Sequence, residues 1–289
     1  MTTHTDEHYY VPHGSHWPAV GSLGLLFLMV GVSSWLNGAD FGFYVMLTGF
    51  AIVIFMVTGW FGEVIGESEG GLYNAQVDRS FRQGMSWFIF SEVMFFAAFF
   101  GALFYARNMA VPWLGGDSNN FFTNLLLWEG YESTWPTTGP GNIGGEYEVM
   151  PPFGLPLINT ALLLSSSVTV TIAHHALIAG KRAQLATFLG ATFVLGFVFV
   201  YLQGVEYVHA YQDLNLTLTS GIYGSTFFML TGFHGMHVTL GAIMLTIIFF
   251  RVLKGHFTPD KHFAFEAVAW YWHFVDVVWI GLYVFVYWL

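Results

Sequence analysis

The stretch Ser86–Tyr105 has the sequence SWFIFSEVMFFAAFFGALFY and contains one charged residue, Glu92. An apolar run of about 20 residues has the length that a helix needs to cross the hydrocarbon core of a bilayer. The whole chain shares this character, with 55% hydrophobic and 9% charged residues, whereas soluble domains carry about 25% charged residues. The sequence therefore predicts an integral membrane protein.

Six further runs resemble this one in length and composition. The seven predicted spans are Trp17–Leu36, Phe41–Phe61, Gly84–Tyr105, Leu155–Leu177, Leu185–Tyr207, Gly224–Phe250 and Phe265–Leu289. Their residues are continuously apolar and do not alternate with polar ones, which favours helices over the strands of a membrane barrel. The predicted fold class is all-α, with seven transmembrane helices.

The basic residues predict the orientation of these helices. Of the eight in the chain, seven lie on alternate connections between spans, namely Arg79, Arg82, Lys181, Arg182, Arg251, Lys254 and Lys261. Because Lys and Arg accumulate on the cytoplasmic side, these connections are expected to face inward. The N-terminal tail, residues 1–16, is then cytoplasmic, and a single transmembrane domain, residues 17–289, ends outside. The long loop 107–152 lies on the outer face.

Several classes of protein can be set aside from composition and motifs. The chain has no cysteine, which excludes disulfides, thiolate metal sites and thiol catalysis. Neither a nucleotide-binding motif nor an internal repeat is visible, and nothing suggests binding of nucleic acid. Four histidines in the tail (His4, His8, His13 and His16) are interpreted as part of a solvated segment, because no acid or cysteine accompanies them.

Glu92 is the most unusual residue of the spans. It lies about 12 Å from the inner end of its helix, at 1.5 Å per residue. Low dielectric disfavours a charged carboxylate, so we expect a protonated carboxyl that is hydrogen-bonded to a neighbouring helix. Two interpretations stay open from the residues alone, a proton relay or reactive acid and a structural carboxyl.

Other polar residues lie in the later spans. His234 and His237 share one helix face, His273 and Asp276 share another, and Glu206 lies near the outer end of the fifth span. A haem held by His234 and His273 would need one ligand from each of two helices at matched depth. We expect interhelical hydrogen bonding instead, with His273 and Asp276 satisfying each other.

Four segments resemble subunit III of the haem–copper cytochrome c oxidases. They are SWFIFSEVMFF (86–96), AHHAL (173–177), GIYGSTFFMLTGFHGMHV (221–238) and HFAFEAVAWYWHFVDVVWIGLYVFVYW (262–288). The resemblance implies that helices 1 and 2 are separated by a V-shaped, lipid-holding cleft from helices 3 to 7. It also implies that Glu92 corresponds to the carbodiimide-reactive membrane glutamate of that family, and that the chain has no catalytic residue and no metal ligand.

The resemblance also implies a function. The chain would be a non-redox subunit of an aa3-type oxidase, which reduces oxygen to water with electrons from cytochrome c and pumps protons. It would bind phospholipids and support subunit I in proton uptake and turnover stability. Haem a, haem a3, CuB and CuA would lie in partner subunits, with subunit I in direct contact and subunits II and IV also present. The long outer loop and the absence of a presequence-like N-terminus resemble bacterial versions, which places the chain in the bacterial inner membrane.

Lipid-binding residues are implied at matching positions. Arg251, Lys254, His256 and Thr258 match an anionic headgroup site, whereas Trp60, Phe61, Glu67 and Ser68 match the cleft wall and Arg82 matches the start of helix 3. Gly62 and Gly66 stand where the family can carry arginines, which weakens the expectation of headgroup contacts from helix 2.

Three alternative functions are considered beside this one. A quinol oxidase subunit is disfavoured by the count of seven spans, because that branch commonly has fewer. A stand-alone proton or solute carrier using Glu92, Glu206 and Asp276 is disfavoured by the lack of repeats and broken helices. A b-type cytochrome would require the haem ligation that we consider less probable than hydrogen bonding.

Overall fold

The computed structural model describes residues 10–11 and 14–288. Most of the predicted tail, with three of its four histidines, and Leu289 therefore lie outside the described residues. Within the described ranges all regular structure is helical, and seven helical segments are long and apolar enough to cross a membrane, which confirms the predicted fold class. The helices are α1 (Trp17–Leu36), α2 (Phe41–Glu69), α3 (Ala75–Tyr105), α4 (Val111–Leu114), α5 (Phe121–Leu127), α6 (Leu155–Ile178), α7 (Arg182–Gln212), α8 (Gly221–Lys254) and α9 (Phe263–Leu282).

The chain divides into two compact units. The first ends at Gln83 and contains α1, α2 and the start of α3, whereas the second begins at Gly84 and contains the rest. This division agrees with the predicted grouping of helices 1–2 and 3–7. The V-shaped cleft stays a prediction.

Close packing of α1 on α2 holds the first unit together. A β-carbon added to Gly31 of α1 would overlap the backbone of Met46, and one added to Gly49 of α2 would overlap the backbone of Leu28. Small residues that let helix backbones approach closely are a main source of helix association in lipid, where burial of apolar surface contributes little. The glycines of the first two spans are therefore packing residues.

Several helices are longer than the apolar runs that predicted them, among them α2 and α3. The α2 helix continues to Glu69, and α3 begins at Ala75, so Arg79 and Arg82 lie in a helix and not in a loop. Asn74 caps α3, because its Oδ1 accepts hydrogen bonds from the backbone N–H of Gln76 and Val77 at 3.1 and 2.9 Å. Hydropathy marks only the part of a helix that suits lipid, whereas capping residues decide where the helix begins.

Four helices form the body of the second unit. Consecutive members of the series α6, α7, α8 and α9 pack on each other, and α9 also packs on α6. The indoles of Trp272 and Trp279 are fully buried, and their N–H groups donate to Ser166 Oγ and Thr160 Oγ1, each at 2.9 Å. These bonds satisfy two polar groups that no water can reach and fix α9 against α6.

The predicted outer loop is partly helical and is tied to the second unit. The helix of α3 continues through a π-helical turn, Ala106–Ala110, into α4, and α5 follows. Beyond them, the backbone N–H of Glu148 donates to the carbonyl of Leu214 at 2.9 Å, and Asn215 Nδ2 donates to the carbonyl of Glu146 at 2.7 Å. The loop is thus fastened to the α7–α8 connection.

The close approach at Gly31 generates a prediction about stability. Gly31→Ala should lower the free energy of unfolding by about 1–3 kcal/mol, because the added methyl must push the two helices apart. Gly62→Ala is the matched control in α2, since nothing lies within 4 Å of its added β-carbon. Unfolding in mixed micelles with increasing SDS measures both variants, and equal stability of the two would contradict the packing account.

Candidate functional site

A carboxyl–imidazole pair joins α3 to α8. The Oε2 atom of Glu92 lies 2.9 Å from Nε2 of His237, and the two side chains are 23% and 7% exposed. The other ring nitrogen, Nδ1, donates to the backbone carbonyl of Phe233 at 2.6 Å. The predicted hydrogen bond of Glu92 to a neighbouring helix is thus present.

The pattern of donors fixes the number of protons in this pair. A carbonyl oxygen only accepts, so the proton of a neutral imidazole must lie on Nδ1, which leaves Nε2 with a lone pair. A carboxylate oxygen also only accepts. One further proton must therefore lie between Nε2 of His237 and Oε2 of Glu92, whichever of the two atoms carries it.

Aromatic rings surround the imidazole of His237. The ring of Phe96 lies edge-on to it at 5.1 Å between centroids, Phe95 lies at 5.9 Å, and Tyr271 stacks on it at 6.3 Å. Such an environment excludes water and strengthens a hydrogen bond in which a charge or a proton is shared. The pair is consequently a strong interhelical hydrogen bond between α3 and α8.

His234 lies one turn before His237 but contacts a different helix. Its side chain is fully buried, and Nε2 donates to the backbone carbonyl of Val275 in α9 at 3.1 Å. Its ring packs against Phe199 and Trp279, with centroids 5.7 and 5.0 Å away. The two histidines of α8 therefore connect it to α9 and to α3.

The expected mutual satisfaction of His273 and Asp276 is not observed. His273 directs both ring nitrogens to α6, with Nδ1 at 2.7 Å from Ser167 Oγ and Nε2 at 3.3 Å from Thr171 Oγ1. Asp276 is 7% exposed, and its Oδ1 has no hydrogen-bond partner among the described residues. The expectation considered spacing within one helix and omitted the hydroxyls that α6 presents to α9.

Glu206 forms another buried hydrogen bond between helical segments. It is fully buried in α7, and Oε1 accepts a hydrogen bond from the phenol of Tyr287 at 2.5 Å. The second oxygen, Oε2, has no partner in the described part of the chain. The bond connects α7 to the π-helical end of the last span, Tyr283–Trp288.

Basic residues gather at the end of α8. Arg251 is 8% exposed, and its guanidinium lies 4.6 Å above the ring of Phe257, whereas Lys254 is exposed in the same last turn. A small cavity beside them has a volume of about 90 Å³ and is lined by Arg182, Phe257 and Thr258, among others. Positive charge and a hydroxyl beside apolar walls suit the phosphate of a lipid headgroup.

The two other predicted headgroup residues lie in the turn that follows. Gly255 has a left-handed backbone, φ +80°, and ends α8 by turning the chain away. Thr258 Oγ1 accepts a hydrogen bond from the backbone N–H of Lys261 at 3.1 Å, and His256 is half-buried. Thr258 is thus engaged within the turn and also lines the cavity.

The predicted lipid-binding residues of the first unit divide into two groups. Trp60 and Phe61 are 51% and 58% exposed on α2, and Ser68 is exposed near its end. The carboxylate of Glu67 instead accepts hydrogen bonds from Tyr10 at 2.8 Å and Tyr73 at 2.6 Å.

Glu67 changes the titration of both tyrosines. Its hydrogen bond is the main cause that raises the pKa of Tyr10. Burial is the main cause that raises the pKa of Tyr73, and the same carboxylate adds to that rise.

Arg82, the last predicted lipid-binding residue of the first unit, pairs with Asp78 at 2.7 Å one turn away in α3.

Sequence reasoning missed two contributors to these sites. Arg182 lines the cavity by α8 although it begins α7, and Tyr287 donates to Glu206 across 81 positions of the chain. The only available signal for Arg182 was its membership in the inward-facing set of basic residues. No spacing pattern in the sequence could have matched Tyr287 to Glu206.

Comparisons with known proteins agree with this architecture. The family model described as cytochrome c oxidase subunit III matches residues 7–289. Curated relatives named cytochrome c oxidase subunit 3 include one from Hippopotamus amphibius, 41% identical over 288 residues, which cover 99% of this chain and 98% of the relative. A relative of the same name from Gadus morhua is 39% identical over 290 residues, with the same shares covered.

The family match extends over both units, and the relatives are of nearly the same length as this chain. The seven spans and the all-helical fold agree with the family. The chain is therefore a subunit of an oxidoreductase complex in the respiratory membrane, where it assembles with other oxidase subunits. It belongs to the cytochrome c oxidase subunit III family.

Proposed function

We propose that the chain is a non-redox subunit of an aa3-type oxidase that uses cytochrome c, binds phospholipids and supports subunit I in proton uptake and turnover stability. The observation that carries this proposal is the closed pair of Glu92 and His237. Both nitrogens of His237 and the Oε2 atom of Glu92 face partners within the chain, as expected for a group that holds helices together. A relay would need a next proton acceptor in line with the pair.

The hydrogen bonds of His273 and His234 support the placement of haem a, haem a3, CuB and CuA in partner subunits. His273 uses both ring nitrogens on hydroxyls of α6, so it offers no lone pair to a haem iron. His234 binds the carbonyl of Val275 through Nε2. The polar network of Glu206, His234, His237, His273 and Asp276 accordingly acts between helices of this chain.

Phospholipid binding is supported by the charges at the end of α8. Arg251 and Lys254 occupy its last turn, and Arg182 adds a third positive charge at the adjoining cavity. A helix C-terminus is itself a poor site for an anion, so these cations are needed to hold a phosphate there. Trp60, Phe61 and Ser68 supply an exposed surface on α2 that suits lipid tails and the interface.

Location and partners follow from the same features. Exposed apolar side chains cover the long helices, among them Trp87, Tyr201 and Val277, which are 71%, 71% and 66% exposed, as expected for surfaces that face lipid or other subunits. The basic residues at the start of α7, at the end of α8 and at the start of α3 favour a cytoplasmic N-terminus and a periplasmic C-terminus. Subunit I is the proposed direct partner, with subunits II and IV in the complex, in a bacterial inner membrane.

Substitution of Glu92 tests the non-redox role. Glu92→Gln should leave the initial rate of oxygen consumption by the assembled oxidase within about twofold of wild type, because the amide can donate the hydrogen bond that His237 Nε2 accepts. Glu92→Leu removes that bond and should shorten the time for which the enzyme sustains turnover. Oxygen-electrode traces of both purified complexes measure the two quantities.

Loss of oxygen reduction in a fully assembled Glu92→Gln complex would contradict the proposal. Thr239→Val is a suitable control, since Thr239 lies in α8 and, among the described residues, its hydroxyl bonds only to the carbonyl of Gly235 in its own helix, at 2.8 Å. It should change neither the initial rate nor the duration of turnover.

Removal of positive charge at the end of α8 tests lipid binding. Lys254→Ala and Arg251→Ala should each lower the amount of anionic phospholipid that co-purifies with the oxidase and shorten its working lifetime, because each removes a favourable contact with phosphate. Quantitative lipid mass spectrometry measures the first effect.

Arg107→Ala is the control for charge alone, because Arg107 lies in the π-helical turn at the opposite end of a span. It should leave the lipid content unchanged. Equal lipid content in wild type, Lys254→Ala and Arg251→Ala would refute the headgroup assignment.

A further inference from the structure

Three potential metal ligands converge where α9 begins and α6 ends. One ligand atom from each of His174, His262 and Glu266 lies within 4.8 Å of the others. His174 is in the last turns of α6, His262 directly precedes α9, and Glu266 is in the first turn of α9. None of the three belongs to the polar network or to the headgroup residues described above.

Two of the three distances within this triad suit a tetrahedral cation. Glu266 Oε1 lies 3.1 Å from His262 Nε2 and 3.5 Å from His174 Nε2. Zinc binds imidazole nitrogen and carboxylate oxygen at about 2.0–2.1 Å, so two ligands of a tetrahedral site are about 3.3 Å apart. The observed spacing brackets that value.

The protonation of His262 leaves Nε2 ready for a cation. Its Nδ1 lies 3.1 Å from the backbone carbonyl of Thr258 and must donate to it. A neutral ring then has its lone pair on Nε2, which faces the acceptor Oε1 of Glu266. Two acceptor atoms that face each other at 3.1 Å require a proton or a metal cation between them. A backbone carbonyl on the second nitrogen is also the usual arrangement that orients a metal-binding histidine.

His174 offers a further ring nitrogen to the same point, and Nε2 carries a lone pair when the ring proton lies on Nδ1. Its Nε2 is buried and makes no hydrogen bond among the described residues. The ring is fixed by contacts with His262 and Phe265, whose centroids are 5.5 and 5.6 Å away. The negative end of the α6 helix dipole makes this position favourable for positive charge.

We propose that His174, His262 and Glu266 bind a divalent metal ion of the zinc class at the junction of α6 and α9. Two imidazoles and one carboxylate are borderline ligands that suit zinc better than calcium or magnesium, which prefer oxygen. Three protein ligands leave one position of a tetrahedron for water, and the side chains are 10–27% exposed, which gives water access. The ion joins the end of α6 to the start of α9 and to the turn at Thr258.

Zinc binding to the purified oxidase complex that contains this chain tests the proposal. The complex is treated with a chelator and dialysed to equilibrium against buffered radioactive zinc. The wild type should bind one zinc ion more per complex than the His262→Gln or Glu266→Gln variants, or should bind that ion at least tenfold more tightly. Zinc should also raise the midpoint of thermal unfolding of the wild type and leave that of the two variants unchanged.

His175→Gln is the matched control, because His175 is the next residue of α6 and is exposed outside the triad. It should bind zinc as the wild type does. His174→Gln replaces a ligand within a continuous helix and serves if the other variants fail to assemble. Zinc-edge absorption spectra of the wild type should show two imidazoles.

Equal zinc stoichiometry and affinity in the wild type and His174→Gln complexes would overturn the proposal. The cation between His262 and Glu266 would then be a proton shared by the pair. Loss of zinc in the His175→Gln control as well would also overturn it, because the effect would not be specific to the triad.

Discussion

The hydrocarbon core of a bilayer offers no water to a buried polar group, and this constraint governs the second unit of the chain. A polar group there is stabilised by a partner on another helix or in its own backbone, and Asp276 Oδ1 and Glu206 Oε2 are exceptions among the described residues. Glu92 binds His237 across α3 and α8, Glu206 accepts from Tyr287, and Trp272 donates to Ser166. Each of these bonds connects two segments that are distant in the sequence. The polar groups are therefore satisfied only when the helices pack together.

The same constraint explains why a chain with ionisable residues inside its spans need not perform chemistry. A carboxyl in lipid suggests a proton pathway when it is considered alone. In the folded chain, His237 is enclosed by aromatic rings and bonded through both nitrogens, so its hydrogen bonds connect α3 and α8. A subunit of this kind can support a neighbour that does chemistry, because its own polar groups hold its helices in register.

The spans and the fold class could be predicted from the sequence, since hydropathy along the chain measures the property that the bilayer selects. The helix ends could not, because Asn74 and the turn before it, and not an apolar run, decide where α3 begins. The polar residues of the site could be named but not paired. Spacing suggested that His273 binds Asp276, yet α6 places two hydroxyls closer to the ring.

The triad at the α6–α9 junction was missed for a similar reason. Its members are separated by up to 92 positions, and no motif with metal-ligand spacing joins His174 to His262 and Glu266. Only the crossing of α6 and α9 brings them together. Long-range partners of this kind depend on the angle and depth at which helices meet, and these are properties of the packed side chains and not of any one segment.

A double-mutant cycle on Glu92 and His237 tests most directly whether their bond holds α3 to α8. Glu92→Leu, His237→Phe and the double variant are compared with wild type by the free energy of unfolding in mixed micelles. The account predicts a coupling of about 1.5–3 kcal/mol, the range of hydrogen bonds that involve a charged group. Additive effects, with a coupling near zero, would contradict it.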